Sequence, residues 1–586
     1  MSDVLLVNGM DFLYSKTPSP YIGHYILEKV LRENGISVSQ LNVDAERTSG
    51  RLRLPEDPDS VFNMLADRIL SVSPRIVGFY TICSSFITTV QVAMKLHVKA
   101  PEVMIIFGGP HATITAEACL RDLGFLTAVC LGESEYSILP LVRALLDGIP
   151  LNGLAGIAWR KDGQIMKSPC CDLVPAERLT DYSISDYGPD YHGIDFSYTI
   201  EGGRGCPFHC TFCSTSTFWQ RTFRIKPVDI LIGEMDRCHR EQGTSVFAIE
   251  HDMFTVNRQY ITDFCNRLIE KGTPYRWRCS SRVDVLDEEL ASLMTKAGCI
   301  HIFLGIETGS PRMQKLIHKN LDLENAARIT KYLKKCGLSV SASFIQGFPE
   351  ETEEDFLQTV SLMEDLMIAG IDNLQLHPFM LLPGTEETTK VYGRAVFNER
   401  DIDMSIYNRS MINEESRELI RKHREIFIQY YSFESEVRSK YPWFSTVFAL
   451  ASLRWNAHRN TFITLARKPG LCEIYLKYAD LFRDFYFRFD EHLYSECAMP
   501  IVRSILEQIV TGENDKALTE IFRYECDLLE YGYSDSQDSI IRSYRLNVDK
   551  VTQLCEYTPE EKKYLFRKGE NNRVKAARIP DWITVK

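Results

Sequence analysis

The stretch GGRGCPFHCTFCS, residues 202–214, places three cysteines within eight residues. Cys206, Cys210 and Cys213 follow the spacing Cys-x3-Cys-x2-Cys, with no fourth cysteine close by. A structural zinc site or a fully coordinated four-thiolate cluster would need a fourth ligand at a comparable spacing. Thiolates are the usual ligands of iron–sulfur clusters, and three of them on a four-iron cube leave one iron free for an exchangeable ligand. Zinc binding or reactive surface thiols are the alternatives.

The cysteines directly follow the first of six predicted strands that alternate with helical patterns. Such an alternation predicts a partial (β/α)6 barrel over residues 196–395, with its chemistry at the carboxyl ends of the strands. The six strand segments are FSYTIEGG (196–203), SVFAIEHD (245–252), YRWRCSS (275–281), CIHIFLGIE (299–307), LSVSASFIQGF (338–348) and NLQLHPFML (373–381).

Residues 1–150 contain a second alternating series, of five buried strands with helices between them. This pattern predicts a doubly wound, Rossmann-like parallel sheet that binds its ligand outside the carboxyl ends of the strands. The strand segments are VLLVN (4–8), SVSQLNV (37–43), RIVGFYT (75–81), VMIIFGG (103–109) and LTAVCLGE (126–133).

The other two regions have different patterns. Residues 151–195 read as a hairpin that turns at Lys161-Asp162-Gly163, followed by a linker rich in Pro, Asp, Ser and Tyr. Residues 396–586 show helical periodicity, as in ESRELIRKHREIFIQYYSF (415–433), and predict a mostly α-helical C-terminal cap. The fold class is therefore α/β with a helical C-terminal domain.

The amino-acid composition limits which classes of binding partner and which cellular compartment we expect. Of 586 residues, 45% are hydrophobic and 25% charged, with a formal net charge of −12 and no block dense in Lys or Arg. This argues against a nucleic-acid partner and favours a small-molecule or peptide substrate. The 17 cysteines are mostly scattered, as in a reducing compartment. With no signal peptide and no apolar run long enough to span a membrane, we expect a cytoplasmic protein.

The cysteine stretch with its Gly-Arg-Gly lead-in resembles the radical S-adenosylmethionine (SAM) superfamily. The resemblance implies a [4Fe–4S] cluster on Cys206, Cys210 and Cys213, with its open iron chelating SAM. It further implies that Glu307, in LGIETGS (304–310), holds the ribose hydroxyls. Asp252 would contact the methionyl amino group and Arg282 the methionyl carboxylate. Surface or strand-end roles for these three charges are the alternative.

The first 150 residues resemble the cobalamin-binding domain that precedes many radical SAM enzymes. The matching segments are TPSPYIGHYILEKVL (17–31), TICSSF (81–86), FGGPHAT (107–113) and LGESEY (131–136). By this resemblance Ser84, Ser85, Gly108, Gly109 and Glu133 would bind cobalamin. The loop after the first strand lacks the His that ligates cobalt in methionine-synthase-type domains, and His24 is expected to be a core or surface histidine. A domain of this shape that holds no cofactor is the alternative.

Together the two resemblances, which cover residues 1–390, imply a cobalamin-dependent radical SAM methyltransferase. It would move a methyl group from SAM through methylcobalamin to an unactivated carbon. An external electron donor of the flavodoxin or ferredoxin kind would supply electrons to the cluster. A related enzyme that rearranges or cyclises its substrate without methyl transfer is a second hypothesis, and a non-catalytic cobalamin or iron–sulfur sensor is a third. The substrate is not predicted, because no motif was recognised in the C-terminal cap.

Overall fold

A computed structural model describes residues 2–10, 21–182, 198–398, 411–445, 455–488, 498–533, 540–548, 555–568 and 574–578. The chain divides into two compact units, each built from several segments. The first unit comprises residues 1–280, 317–319 and 380–434, and the second comprises residues 281–316, 320–379 and 435–586.

A seven-stranded sheet forms the centre of the first unit. Its strands are β1 (Val4–Asn8), β2 (Val38–Asn42), β3 (Ile76–Tyr80), β4 (Met104–Gly108), β5 (Leu126–Cys130), β6 (Ile157–Lys161) and β7 (Gln164–Lys167). They lie in the order β2-β1-β3-β4-β5-β6-β7, and β1 to β5 are parallel. The predicted doubly wound sheet is thus confirmed, with a topological switch point between β1 and β3.

Helices cover both faces of this sheet. They are α1 (Ile22–Glu33), α2 (Val43–Thr48), α3 (Pro58–Leu70), α4 (Phe86–Lys99), α5 (Pro110–Ile114), α6 (Ala116–Asp122) and α7 (Ile138–Asp147). Leu5 and Val7 of β1 belong to a core with α3, α4 and α6, whereas Val4 and Leu6 belong to a core with α1 and α7. Burial on both faces explains why these strands read as continuous apolar runs.

The predicted hairpin is also confirmed, and it extends the first sheet. Strands β6 and β7 are antiparallel, and β6 pairs antiparallel with β5. Asp162 and Gly163 connect them with φ of 50° and 78°. Two consecutive positive φ angles are typical of the type I′ turn that suits a two-residue hairpin. The linker that follows begins with a 3-10 helix at Ala176–Tyr182, and its remainder lies outside the described residues.

All six strands predicted for the second series are present. The elements are β8 (Tyr198–Glu201), β9 (Gly203–Gly205), α8 (Thr215–Phe218), β10 (Phe223–Ile225), α9 (Val228–Gln242), β11 (Val246–Glu250), α10 (Arg258–Lys271), β12 (Arg276–Ser281), α11 (Glu288–Lys296), β13 (Cys299–Glu307), α12 (Pro311–Leu316), α13 (Ala326–Lys335), β14 (Ser339–Gln346), α14 (Glu353–Ala369) and β15 (Asn373–Pro378). In the first unit β11 pairs in parallel with β8 and β12. In the second unit β14 pairs in parallel with β13 and β15.

The C-terminal part contains helices and, unexpectedly, a sheet. Its elements are α15 (Glu386–Val391), β16 (Val396–Phe397), α16 (Glu414–Lys422), β17 (Tyr431–Ser432), α17 (Glu436–Lys440), α18 (Trp455–Arg467), α19 (Leu471–Lys477), α20 (Ala479–Arg488), α21 (Ala498–Glu513), α22 (Lys516–Tyr533), β18 (Ile540–Val548), β19 (Cys555–Lys568) and β20 (Val574–Arg578). Strands β18 to β20 form an antiparallel sheet. Tyr544, Tyr564 and Phe566 of this sheet pack against Tyr524 of α22.

The helix predicted over residues 415–433 ends earlier, at Lys422. Ile426, Phe427, Ile428 and Tyr430 are all buried, which one stripe of a helix could not achieve. They are buried in the core that contains Leu5 and Val7 of the first sheet. This segment, assigned from the sequence to the C-terminal cap, is therefore part of the first unit. None of the described helices is long and apolar enough to cross a membrane.

Candidate active site

The cysteine loop leaves from a short antiparallel pair of strands, β9 and β10, whose geometry requires glycine. Gly205 directly precedes Cys206 and has a φ of 83°. A Cβ on Gly205 would lie 2.1 Å from the carbonyl oxygen of Thr222, and one on Gly203 would lie 2.3 Å from that of Arg224. The glycines of the GGRG lead-in thus let two backbones approach each other closely, and this fixes where the loop begins.

Thr211 anchors the middle of the loop. Its backbone N–H donates to the carbonyl oxygen of Ile317 at 3.1 Å, and its hydroxyl donates to Oε1 of Glu387 at 2.7 Å. The backbone N–H of Glu387 donates in turn to the carbonyl oxygen of Thr211 at 3.2 Å. Lys390 pairs with the same Oε1 at 2.7 Å. Helix α15 therefore fixes the middle of the cysteine loop through Glu387. The sequence alone did not indicate this contact.

The three predicted ligand cysteines lie on this loop with intermediate exposure. The backbone N–H of Cys213 donates to the carbonyl oxygen of Cys210 at 3.2 Å. Burial raises the pKa of Cys206; a backbone hydrogen bond with Phe208 opposes this rise, and the nearby carboxylate of Asp252 adds to it. In the part of the chain that is described, no three His, Cys, Asp or Glu side chains converge on a single ion. Each thiolate of a cubane binds a different iron, so a three-thiol loop fits a cluster rather than one ion.

Asp252 lies in the same unit, just after β11, on the surface. Its pKa is raised to about 6, by desolvation first and then by repulsion from Glu250. Asp252 also raises the pKa of Cys206, so its carboxylate lies close enough to the cysteine loop to influence it. The structure therefore places Asp252 near the cysteine loop, and its contact with the methionyl amino group stays a prediction.

Glu307 and Arg282 belong to the second unit. Glu307 ends β13 at a register shift and has a φ of 69°, an uncommon angle for a residue with a side chain. Burial lowers the pKa of His377 on β15, and the negative charge of Glu307 partly opposes this by raising it. Arg282 is buried and donates to both carboxylate oxygens of Asp284, at 2.9 and 2.6 Å. A positive φ at a residue with a side chain, as at Glu307, is a form of backbone strain that is often found at functional positions.

The carboxyl ends of the first sheet open into a cavity of about 900 Å³ in the first unit. Four of the five residues predicted to bind cobalamin line it, namely Ser84, Gly108, Gly109 and Glu133. Ser85 is not among its lining residues. It is buried instead, and its carbonyl oxygen accepts from the N–H of Thr89 in the first turn of α4. Gly109 has a φ of 96°, and a Cβ there would lie 2.7 Å from the carbonyl oxygen of Thr81.

The same cavity is lined by residues that follow the cysteine loop, including Ser214, Thr215, Phe218 and Trp219. One space therefore touches both the loops of the first sheet and the segment that follows the three cysteines. Its glycine-lined edge and its size suit a bulky ligand at this edge of a doubly wound sheet. The residues present thus fit a cobalamin-type group.

Two histidines in the cavity wall were not predicted to contribute. His24 is buried, with Nδ1 2.7 Å from Nδ2 of Asn8, and burial lowers its pKa to about 3. Nε2 of His111 donates to the carbonyl oxygen of Ile426 at 2.8 Å, and burial lowers its pKa to about 4. Both rings are therefore neutral at physiological pH. His24 was expected to be a core or surface residue, and the structure shows that it is buried in the cavity wall.

Two aromatic residues of the C-terminal region belong to or pack against the core of the first sheet. Tyr430 is buried in the core of the first sheet, and Tyr431 packs against that core. The backbone N–H of Trp443 donates to Oη of Tyr475 at 3.2 Å. The side chain of Trp455 lies outside the described residues.

Comparison with known proteins agrees with this geometry. The family model of the radical SAM superfamily matches residues 200–363, and the model of the B12 binding domain matches residues 13–141. An uncharacterized methyltransferase of Pyrococcus horikoshii is 32% identical over 333 residues, which cover 56% of this chain and 71% of that protein.

Two further proteins are similar. The anaerobic magnesium-protoporphyrin IX monomethyl ester cyclase of Rubrivivax gelatinosus is 29% identical over 317 residues, covering 52% of this chain and 56% of the cyclase. The solved structure of the cobalamin-dependent SAM radical enzyme OxsB, with aqua-cobalamin and SAM bound, aligns with a TM-score of 0.56 at 17% identity. That alignment covers 92% of this chain and 82% of OxsB, and it shows the shared fold.

Proposed function

Because the chain belongs to the radical SAM superfamily, in the group that carries a B12 binding domain, we propose that it is a cobalamin-dependent methyltransferase. It would transfer a methyl group from SAM, by way of cobalamin, to an unactivated carbon of a small-molecule or peptide substrate. The observation that carries this proposal is the cavity of about 900 Å³, which is lined by the first-sheet loops and by the segment after the cysteines.

The chain's own residues divide the work of binding. Cys206, Cys210 and Cys213 would hold a [4Fe–4S] cluster. The cluster and SAM would together supply a radical able to take hydrogen from an sp3 carbon, and cobalamin would supply the methyl group. An external donor of the flavodoxin or ferredoxin kind would provide the electron.

The remaining predicted residues would orient the two larger cofactors. Glu307 would accept hydrogen bonds from the ribose hydroxyls of SAM, and Asp252 would accept from its amino group. Arg282 would face the methionyl carboxylate while it remains bound to Asp284. Ser84, Gly108, Gly109 and Glu133 would form the cobalamin wall. A cavity with these apolar and glycine-rich walls would exclude water from the reacting carbon.

A substrate-independent assay tests the methyl-transfer step. Reconstituted protein would be incubated without oxygen with cobalamin, a strong reductant and SAM labelled on its methyl group. We expect the label to move to the bound cobalamin, with S-adenosylhomocysteine formed in equal amount. Formation of 5′-deoxyadenosine alone, with the label kept on SAM and methionine, would contradict methyl transfer.

The similarity to a cyclase supports one second candidate, a cobalamin-dependent ring closure or rearrangement without methyl transfer. The same assay separates the two, because the cyclisation hypothesis predicts deoxyadenosine without transfer of label.

The assignment of the three cysteines as cluster ligands predicts that replacing any one of them removes the cluster completely. Cys206→Ala, Cys210→Ala or Cys213→Ala should abolish iron–sulfur absorbance and cleavage of SAM, because a cubane held by two thiolates is not retained. Cys170→Ala is the matched control, since Cys170 is exposed and lies outside the loop. Iron analysis and anaerobic absorption spectra measure the outcome. A Cys213→Ala protein with full cluster content would refute the assignment.

A further inference from the structure

A buried group of charged side chains lies against the cavity, and Glu133 alone among them has a place in the function proposed above. We call it the ionic clamp: Glu133, Glu135, Glu201, Arg204, Arg224 and Lys226. The side chain of Arg204 is 5% exposed and that of Lys226 1% exposed. The three cations face these three carboxylates and also Glu234, whose Oε1 and Oε2 lie 3.1 and 3.0 Å from Nζ of Lys226. Buried charges persist only when they are paired and hydrogen-bonded in this way.

Arg204 is the centre of the clamp. Its Nη1 lies 2.6 Å from Oε1 of Glu135 and 3.3 Å from Oε2 of Glu133. Its Nε donates to Oε1 of Glu201 at 2.7 Å. One planar guanidinium thus binds three carboxylates from two parts of the chain, a geometry that the single ammonium of lysine cannot reproduce.

Arg224 closes the other side. Its guanidinium forms a two-point ion pair with Glu133, and Nη1 donates to the carbonyl oxygen of Val174 at 2.5 Å. Oε2 of Glu133 also accepts from the backbone N–H of Val174 at 2.8 Å. The position of Glu133 is therefore fixed from three directions.

The charges within the clamp respond to one another. Burial alone would raise the pKa of Glu201, but the positive charges of Arg204 and Lys226 outweigh it and lower that pKa. Burial raises the pKa of Glu135, which Arg204 opposes. Both carboxylates therefore depend on Arg204 to remain ionised in the interior.

The clamp joins two segments with different tasks in the proposed function. Glu133 and Glu135 lie in the loop after β5, in the wall proposed for cobalamin. Arg204 lies on β9, two residues before Cys206. The guanidinium carbons of Arg204 and Arg224 lie 6.0 and 5.8 Å from the ring centre of Trp219, which lines the same cavity. A displacement of Arg204 would consequently move the wall and the cysteine loop relative to each other.

We propose that Arg204 is a positioning residue that sets the separation between the cluster loop and the cobalamin wall. This inference rests on the proposed function, because it needs both cofactors to be bound. Reactions that join a radical to a methyl donor require near-contact of the partners, so loss of this register would lower turnover even with both cofactors present.

The test compares wild-type protein with Arg204→Lys, which keeps the charge and removes the fork. Pulsed electron paramagnetic resonance measures the distance between the reduced cluster and cob(II)alamin through their spin–spin coupling. We expect Arg204→Lys to retain the cluster, to bind hydroxocobalamin at least 10-fold more weakly, and to show a shifted or broadened distance distribution. Loss of fold stability alone would not move that distribution.

Two further variants complete the design. Arg68→Lys is the matched control, because Arg68 makes a comparable two-point contact with Glu46 and does not line the cavity. It should match wild type in both measurements. If Arg204→Lys does not fold, Glu135→Gln decides, since it removes one of the three carboxylate charges. It should change the distribution in the same direction by a smaller amount.

The outcomes separate the two proposals. Wild-type affinity and an unchanged distance distribution in Arg204→Lys, or in Glu135→Gln if the lysine variant is unfolded, would overturn the positioning role alone. Wild-type protein that binds no hydroxocobalamin would overturn the proposed function, and the positioning role with it.

Discussion

The two units stabilise a buried carboxylate by different interactions: ion pairs in the first unit and hydrogen bonds from neutral groups in the second. In the first unit, Glu201 is buried beside Arg204 and Lys226, which lower its pKa. In the second unit, Glu525 of α22 is buried and has no Lys or Arg ion-pair partner among the described residues. It accepts instead from the backbone N–H groups and side chains of Asn460 and Thr461, at 2.6 to 3.1 Å. Burial raises the pKa of Glu525 to about 7.

This difference matters because paired charges and hydrogen-bonded acids respond oppositely to pH. Acid weakens the clamp as Glu201 becomes protonated below its lowered pKa. Glu525 is best accommodated when it is protonated, so alkali weakens its surroundings. The cavity wall thus contains a carboxylate, Glu201, whose pKa is lowered by neighbouring cations, whereas the C-terminal helices contain Glu525, which titrates near neutrality.

The largest effect is expected from removing the central cation. Arg204→Met should destabilise the protein by about 3–5 kcal/mol, because Glu133, Glu135 and Glu201 would lose their shared partner in the interior. Denaturant unfolding followed by circular dichroism measures this loss. Adding Glu135→Gln to Arg204→Met should recover part of it by removing one unpaired charge. A loss of less than about 1 kcal/mol would place the clamp among weak surface pairs.

A pH-dependent effect is expected from Glu525. Its pKa is about 7 in the folded protein and near 4.5 when unfolded. Stability from this group is therefore fully present below pH 4.5 and falls as the pH rises through 7. The loss is on the order of 2–3 kcal/mol. Glu525→Gln should remove this part of the pH dependence, as measured by unfolding at pH 5 and pH 8. An identical slope in the variant would show that Glu525 does not titrate there.

The smallest effect should come from an exposed pair. Arg328 binds Glu288 at 2.7 Å, and both side chains are about half exposed, at 54% and 51%. Arg328→Gln should change stability by less than about 0.5 kcal/mol, and salt should reduce even that. Thermal unfolding at low and high salt measures it. A loss as large as that of Arg204→Met would show that burial does not distinguish these pairs.

Much of the fold could be predicted because its signals are local. The strands of the first series are mostly short apolar runs, and a parallel sheet buried on both faces requires such runs. The cysteine loop was equally readable, since its three ligands lie within eight residues. The lining position of Gly108 and Gly109 followed from their place at the end of a strand, whereas Ser85 is the N-cap residue of α4 and is buried.

What the sequence did not reveal depends on distant contacts. The helical pattern of residues 415–433 is interrupted because Ile426 to Tyr430 are buried against the first sheet. Arg204 lies within the quoted motif, yet its importance depends on Glu133 and Glu135, about 70 residues earlier. The last sheet alternates apolar Tyr544 and Leu546 with polar residues, a pattern of period two that could have been recognised between the turns.

The segment of residues 411–430 has a consequence for how the chain is made. It completes the core beneath the first sheet, where Ser416 bonds to Gln91 and Ile426 to His111. During synthesis, β5 leaves the ribosome about 300 residues before this segment, an interval of about 15 to 60 s at usual elongation rates. For that time the core between α4 and the first sheet lacks Phe427, whose ring lies 5.3 Å from that of Phe86 on α4, so a domain that is translated early is completed late.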